Sequence, residues 1–165
     1  KAITIEHDLA CLNDLGINKI VSLLEPMEAS MLEVTHENVL CEKLGITLEK
    51  FPIPDHKVPT NPPQFRQLID TLYQELQNGS DIAVHCFAGI GRTGVLAGGL
   101  LIKDGMTAAA AAELLSDIRG CNVPQTHSQS NYLIDFETGN EGKPPPPPPP
   151  PRSRKNWFTR WLLPA

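Results

Sequence analysis

The hydrophobic positions of this chain follow two spacings, one typical of buried strands and one typical of helices. Short apolar runs predict strands over 17–24, 46–53 and 81–86. Apolar residues that recur every three or four positions predict helices, several of them closed by a glycine. The predicted helices cover 8–16, 36–45, 63–79, 92–105, 107–120 and a segment after Pro124. This alternation predicts an α/β fold in a single domain, with a central, mostly parallel sheet of about four to five strands flanked by helices.

Two proline-rich segments mark a loop within the predicted domain and the boundary at its end. The segment 52–63, PIPDHKVPTNPP, can only be a loop, because proline lacks the amide hydrogen that helices and sheets need. The unbroken run Pro144–Pro151 is predicted to form an extended polyproline helix that does not join a core. We therefore predict a folded domain over 1–140 and a proline-rich, basic tail over 141–165. We expect this tail to be unstructured, or else to be a docking segment for a partner module or a weak interfacial contact with a membrane.

The net charge of the chain limits the classes of partner that it can bind. The chain has a net charge of −5, and five basic residues with no acid lie beyond residue 142, so residues 1–142 carry −10. Such an acidic domain is a poor binder of nucleic acid and of anionic membranes. No apolar run approaches the roughly 20 residues that span a bilayer, so we expect no stable membrane insertion.

The number and spacing of the cysteines indicate the redox state of the compartment in which the protein works. The four cysteines are far apart in sequence and form no C-x-x-C pair, which favours free thiols and indicates neither a dense disulfide framework nor a zinc site. Free thiols are typical of a reducing compartment, so we predict a soluble, cytoplasmic protein. Lys1 is not an initiator methionine, and we expect the start of the chain to be trimmed or processed.

The segment 85–94, HCFAGIGRTG, joins the predicted strand 81–86 to the predicted helix 92–105. Ligands of open α/β sheets bind at the carboxyl ends of strands, and a helix N-terminus offers free amides and a positive dipole to an anion. The amides of this loop can surround a tetrahedral oxyanion, while the fork of an arginine clamps two of its oxygens. The residues predicted to hold a phosphate-like group are Phe87, Ala88, Gly89, Ile90, Gly91 and Arg92.

The same electrostatic field acts on Cys86. A thiol near a helix N-terminus and a guanidinium can have its pKa lowered to roughly 3.5–7.5, which makes it a thiolate at neutral pH. Thr93, which directly follows Arg92, can donate a hydrogen bond to the sulfur and stabilise it as a leaving group. The alternative is a buried structural cysteine beside a helix cap, which does not account for the arginine and threonine at this spacing.

HCFAGIGRTG resembles the H-C-x5-R-[ST]-G signature of cysteine-dependent protein tyrosine phosphatases, and departs from the common tyrosine-specific version at Phe87. The similarity extends over most of 1–138 and is to the compact dual-specificity branch. The resemblance implies attack by Cys86 on phosphorus, protonation of the leaving oxygen by an aspartate, and hydrolysis of the thiophosphate. It implies no metal and no other cofactor.

The aspartate that this mechanism requires is predicted at Asp55. FPIPDHKVP places it in a proline-stiffened loop after a strand, 31 residues before Cys86 and at the same sheet edge. The loop resembles the acid loop of the dual-specificity branch, with Ile53 where the tyrosine-specific enzymes have tryptophan. The alternative is an ordinary turn aspartate after proline.

Three further residues are predicted to support the chemistry. The Q-T-x-x-Q of residues 125–129 resembles the family's glutamine loop, which implies that Gln125 orients the hydrolytic water and makes Gln129 a weaker candidate. In the alternative, both glutamines lie on the surface of a helix. His85 is expected to fix the loop through hydrogen bonds and not to act as a base.

Together these features predict a phosphatase for phosphomonoesters, with phosphotyrosine and also phosphoserine or phosphothreonine of phosphoprotein substrates as targets. The loop spacers contain no lysine, which disfavours a multiply anionic substrate. Two alternatives stay open: a catalytically inactive phosphate-binding module, and a phosphatase for a non-protein substrate such as a phosphoinositide. Whether Cys121 forms a redox pair with Cys86 is left open by the sequence.

Overall fold

The structure is a computed structural model and describes residues 4–142. Helices and strands alternate within this range, which confirms the predicted α/β class. The elements are α1 Ile5–Asp14, β1 Lys19–Ser22, α2 Pro26–Met31, α3 Glu37–Leu44, β2 Thr47–Lys50, α4 Pro62–Gln77, β3 Ile82–His85, α5 Gly91–Lys103, α6 Ala108–Arg119 and α7 His127–Thr138. None of these helices has the length and apolarity needed to cross a membrane.

The sheet has three parallel strands in the order β2-β1-β3, fewer than the four to five predicted. Only the three short apolar runs form strands, and the other regular segments from 4 to 142 fold as helices. Ser22 lies opposite Lys50 on one side and His85 on the other, so the three strands end together. The segments that leave this edge are α2, the proline-rich loop and the loop of Cys86.

The strands and helices are stabilised by apolar side chains on both faces of the sheet. On one face, Phe65 of α4 packs edge-on against Tyr132 and Phe136 of α7, with ring centroids 5.7 and 5.8 Å apart. Helix α5 lies close to α7 because Gly98 has no side chain, and a Cβ there would lie 2.7 Å from Leu133. On the other face, α1 and α3 cover the sheet. Because α5 is packed in this way, the loop that precedes it has a fixed anchor.

Helix α2 is absent from the sequence prediction. Its six residues are too few to show a helical period, and it begins with a proline that follows Glu25. The backbone N–H of Glu25 donates to Glu28 Oε2 at 2.9 Å, which is one half of a capping box. This cap orients the Glu28 side chain at the carboxyl end of β1.

The end of the folded domain is also defined by contacts. Arg66 of α4 donates through Nε to Glu141 at 2.7 Å, so the chain is held against α4 up to that residue. The proline-rich tail predicted from 141 onward lies outside the described residues from Lys143, and its role stays a prediction.

Candidate active site

Cys86 lies in the loop between β3 and α5, and its side chain is buried. Its sulfur accepts hydrogen bonds from the hydroxyl of Thr93 at 3.2 Å and from the backbone N–H of Gly89 at 3.3 Å. Burial by itself raises the pKa of the thiol, but these hydrogen bonds and the charge of Arg92 outweigh it, so the pKa of Cys86 is lowered. These surroundings favour the thiolate form of Cys86.

Arg92 is almost wholly buried, with 2% of its surface exposed. Its Nη1 donates to Glu28 Oε2 at 2.6 Å and to the carbonyl of Ile53 at 3.0 Å. Its Nη2 donates to Glu28 Oε1 at 2.7 Å and lies 3.0 Å from Asp55 Oδ1. These contacts engage both terminal nitrogens, and they fix the plane of the guanidinium from one side.

Glu28 is a site residue that the sequence analysis missed. The hydrogen bonds with Arg92 lower the pKa of Glu28 despite its burial, so the pair is ionic. A bidentate pair between a carboxylate and a guanidinium is among the strongest polar contacts in proteins. The sequence does contain a signal for Glu28. The acidic segment EPME, residues 25–28, directly follows the predicted strand 17–24 and therefore lies at the same sheet edge as Cys86 and Asp55.

Asp55 lies in the loop after β2, and its side chain is 54% exposed. One carboxylate oxygen faces Arg92, and the other lies 3.3 Å from the ring of His56. One pocket is lined by Asp55, Cys86, Gly91, Arg92, Gln125, Gln129, Ala88 and His56. The residues predicted as nucleophile, anion clamp, acid and glutamine pair thus meet in one place.

The two glutamines differ in burial. Gln129 is buried; its Nε2 donates to the carbonyl of Lys57 at 3.0 Å, and its Oε1 accepts from the backbone N–H of Thr126 at 3.1 Å. A Cβ on Gly91 would lie 3.0 Å from the Gln129 amide, so this side chain also lies against the loop of Cys86. Gln129 therefore links the loop of Asp55, the loop of Cys86 and α7. Gln125 is exposed at the rim of the pocket.

His85 contacts a second acidic residue that sequence reasoning missed. Its Nε2 lies 2.8 Å from Oε1 of Glu37, the buried first residue of α3. The hydrogen bond from the Leu23 amide to the His85 carbonyl, 2.9 Å, ties the same residue to β1. His85 is thus held by contacts with Glu37 at the start of α3 and with Leu23, which follows β1.

The loop over residues 87–92, called the cradle below, can surround an anion with its backbone amides. Gly89 adopts φ 68, a left-handed conformation that turns its amide toward the Cys86 sulfur and that glycine adopts without strain. Phe87 points outward and is half exposed. Helix α5 begins at Gly91, so its free N-terminal amides complete the cradle. All four cysteines are free thiols, with Cys121 exposed.

A low-pKa cysteine, a buried arginine and an aspartate at one sheet edge define the class of cysteine-dependent phosphatases. Residues 1–106 match the family described as "Polymorphic toxin system, DSP-PTPase phosphatase", and the chain belongs to this family. The match confirms the predicted resemblance to cysteine-dependent, dual-specificity-type phosphatases.

The chain is similar to curated proteins of the same class. It is 30% identical to cyclin-dependent kinase inhibitor 3 of Rattus norvegicus over 134 residues, which is 80% of this chain and 63% of that protein. It is 32% identical to PRL-1 phosphatase of Drosophila melanogaster over 123 residues, 71% of this chain and 62% of the relative. The chain thus spans less than two thirds of the length of these relatives.

Solved structures agree on the fold. The crystal structure of kinase associated phosphatase superposes with a TM-score of 0.78 and 27% identity, covering 84% of this chain and 79% of that one. The crystal structure of Tk-PTP in the active form gives 0.71 at 23% identity, covering 82% and 88%. The α/β phosphatase fold is therefore confirmed.

Proposed function

We propose that this chain is the catalytic domain of a metal-independent protein phosphatase that hydrolyses phosphotyrosine, and also phosphoserine and phosphothreonine, through a phosphocysteine intermediate. The observation that carries the proposal is the Cys86 sulfur, which accepts two hydrogen bonds in the pocket it shares with Arg92 and Asp55. The family and its relatives support the same class of chemistry.

Substrate binding begins with the phosphoryl group in the cradle. The amides of residues 87–92 donate to its oxygens, and Arg92 donates from the side that Glu28 leaves open. Arg92 Nε has no hydrogen-bond partner within residues 4–142, and Nη2 becomes available when Asp55 moves away. The pair with Glu28 keeps the guanidinium plane fixed during this exchange.

The first chemical step is a displacement at phosphorus. The Cys86 thiolate forms the sulfur–phosphorus bond as the bond to the leaving oxygen breaks, and Asp55 in its protonated form gives its proton to that oxygen. Asp55 must first leave the guanidinium, since an ion-paired carboxylate carries no proton to give. Gln129 holds the backbone of Lys57, two residues further on, and thereby positions the acid loop.

The second step hydrolyses the phosphocysteine. A water held by Gln125 at the rim attacks phosphorus, the unprotonated Asp55 accepts its proton, and the sulfur leaves as a thiolate. Thr93 stabilises that thiolate through the hydrogen bond already present at 3.2 Å. The cycle needs no metal and no other cofactor.

Protein substrates are supported by the charge and openness of the site. Residues 1–142 carry −10, and residues 87–91 of the cradle include no lysine, which disfavours a multiply phosphorylated lipid. Asp55 is half exposed, so the acid stands at an open rim that short phosphoserine and long phosphotyrosine side chains can both reach. The free thiols support a reducing compartment, and we propose the cytoplasm.

A substrate panel tests this function. The chain is assayed in EDTA against phosphotyrosine, phosphoserine and phosphothreonine peptides and against phosphoinositides in mixed micelles. The proposal predicts release of phosphate from the peptides at a higher kcat/KM than from any lipid. Hydrolysis of lipids alone would favour the non-protein alternative, and binding of phosphopeptides without turnover would favour an inactive phosphate-binding module.

A further inference from the structure

A small cavity lies beside α2 at the carboxyl edge of the sheet. Its volume is about 170 Å³, and the side chains of Leu24, Pro26, Ala29 and Pro52 form its apolar wall. A cavity of about 150 Å³ with apolar walls holds a benzene molecule. The cavity therefore has room for one six-membered ring. It is separate from the pocket of Cys86, with which it shares no lining residue.

Two charged residues also line this cavity. Lys50, the last residue of β2, is exposed, and its ammonium has no ion pair or hydrogen bond within residues 4–142. Glu37 is buried, and its carboxylate lies 2.8 Å from His85 Nε2. Because Glu37 already has a partner, the unpaired charge of the wall is positive. The cavity therefore suits a ligand that joins an apolar ring to one negative group.

Helix α2 connects the cavity to Arg92. Ala29 lines the cavity, and Glu28, the residue before it, contacts both terminal nitrogens of Arg92. None of the six residues of α2 is buried, and Met27 and Met31 are 76% and 69% exposed. The cavity leaves one side of this weakly packed helix without partner atoms. A ligand that fills the cavity packs against α2 and stabilises the position of Glu28.

Two other parts of the wall lead to the same catalytic groups. Pro52 directly precedes Ile53, whose carbonyl accepts a hydrogen bond from Arg92 at 3.0 Å. Glu37 contacts His85, the residue before the nucleophile. A ligand in the cavity thus contacts three segments that support the active site, and it does so without entering the active site.

We propose that this cavity is an effector site for a small aromatic carboxylate, which packs its ring against the apolar wall and pairs its carboxylate with Lys50. The bound ligand holds α2 in place, so Glu28 stays against Arg92 when Asp55 leaves the guanidinium to act as the acid. We therefore expect the ligand to activate the enzyme. The binding is independent of the proposed phosphatase function, and the activation rests on it.

Binding is measured with benzoate and with benzamide, which has nearly the same shape but no charge. The wild-type chain is titrated with each ligand and followed by two-dimensional NMR, with orthovanadate present to occupy the cradle as a phosphate analogue. We expect shifts of the backbone signals around Ala29 and Lys50. The affinity for benzoate should be about threefold above that for benzamide, as one exposed ion pair allows.

Variants of Lys50 and Ala29 change the cavity, and a variant of Lys43 is the control. Lys50→Met should bind benzoate no more tightly than benzamide, and Lys50→Arg should keep the preference. Ala29→Leu fills part of the cavity and should weaken the binding of both ligands by about tenfold or more. Lys43→Met removes the same charge from an exposed position on α3 and should leave both affinities unchanged.

Activation is measured as kcat/KM for a phosphotyrosine peptide. Saturating benzoate should raise kcat/KM of the wild-type chain about fivefold, which is the lower end of the usual coupling between two sites. Glu28→Gln should still bind benzoate but show much less activation, because the contact that transmits the effect to Arg92 is weakened.

Four results would overturn the effector site: no shifts around Ala29 and Lys50, equal affinities for benzoate and benzamide, binding of benzoate that orthovanadate abolishes, or binding that leaves kcat/KM unchanged or lowers it. A chain that binds benzoate as expected but hydrolyses neither p-nitrophenyl phosphate nor any phosphopeptide would instead contradict the phosphatase function. The two failures are therefore distinguishable.

Discussion

The carboxylate of Glu28 lies 2.6 and 2.7 Å from the two terminal nitrogens of Arg92, so the arginine of the cradle is ion-paired before any substrate binds. Arg92 is buried, and without this partner its charge would be desolvated and only partly compensated. The pair also fixes which N–H groups of the guanidinium are left for a phosphoryl group. Glu28 is thus a positioning residue that acts through Arg92.

Glu28→Gln should impair both stability and activity. The variant keeps one hydrogen bond to Arg92 but loses the charge, so we expect a loss of about 1.5–3 kcal/mol in the free energy of unfolding. With Arg92 less well oriented, kcat/KM for p-nitrophenyl phosphate should fall at least tenfold. Urea unfolding and steady-state kinetics measure the two effects. Glu42→Gln, an exposed position on α3, is the control and should change neither.

The pH dependence of stability should change in the same variant. Because Arg92 lowers the pKa of Glu28, the stabilising effect of this carboxylate is fully present above its ordinary pKa near 4.5 and is lost as the pH falls through the lowered value. Urea unfolding between about pH 3 and pH 6 should show a steeper loss of stability for the wild type than for Glu28→Gln. Parallel curves of the free energy of unfolding against pH would show that the ionisation of Glu28 does not cause this pH dependence.

Thr93→Val should raise the pKa of Cys86. The hydroxyl of Thr93 makes the shorter of the two hydrogen bonds to the sulfur, and its loss removes a group that lowers the thiol pKa. The rate of alkylation of Cys86 by iodoacetamide, followed by mass spectrometry across pH, should shift to higher pH in this variant. Thr93→Ser should keep the wild-type profile, and Thr47→Val, on an exposed position of β2, is the control. An unshifted profile for Thr93→Val would argue against its hydrogen bond as a cause of the low pKa.

Asp55→Asn should slow turnover according to the leaving group. A general acid contributes about 10²–10⁴-fold, and this contribution is largest for leaving oxygens that depart poorly as anions. We expect kcat for a phosphoserine peptide to fall about a hundredfold or more, and kcat for p-nitrophenyl phosphate to fall much less. Asp14→Asn, exposed at the end of α1, should leave both rates unchanged. Equal losses of kcat on both substrates would show that Asp55 is not the general acid.

Gln129→Leu should loosen the acid loop. The variant keeps the volume of the buried side chain but loses the hydrogen bonds to the Lys57 carbonyl and the Thr126 amide. We expect a decrease of kcat on phosphoserine peptides in the same direction as Asp55→Asn, and little further decrease when the two substitutions are combined. Fully additive losses in this double-mutant cycle would show that Gln129 does not act through Asp55.

The sequence predicts a site residue best when the partners of that residue are close to it along the chain. The cradle and the relation of Cys86 to Arg92 are encoded within ten consecutive residues. Asp55 was predictable because parallel strands end at one edge of the sheet. The strand count was overestimated, since the α/β class alone does not determine how many strands a sheet contains.

The residues that the sequence did not reveal depend on tertiary contacts. Glu28 and Glu37 read as ordinary surface acids in sequence, and only their packing against Arg92 and His85 buries them. Gln129 was predicted only as the weaker of two candidates, and its hydrogen bond to the Lys57 carbonyl and its contact with Gly91 are likewise tertiary contacts. No spacing rule along one chain identifies a partner that is more than 40 residues away.

The most direct test of the central claim is detection of phosphate on Cys86 itself. The chain is mixed with a phosphotyrosine peptide carrying ³²P, quenched in acid within milliseconds, and digested for mass spectrometry, with EDTA present throughout. We predict a labelled phosphocysteine at residue 86 in the wild type and in Cys11→Ser, whose exposed thiol is the control, and none in Cys86→Ser. Turnover that persists in Cys86→Ser, or that requires a metal ion, would contradict the account.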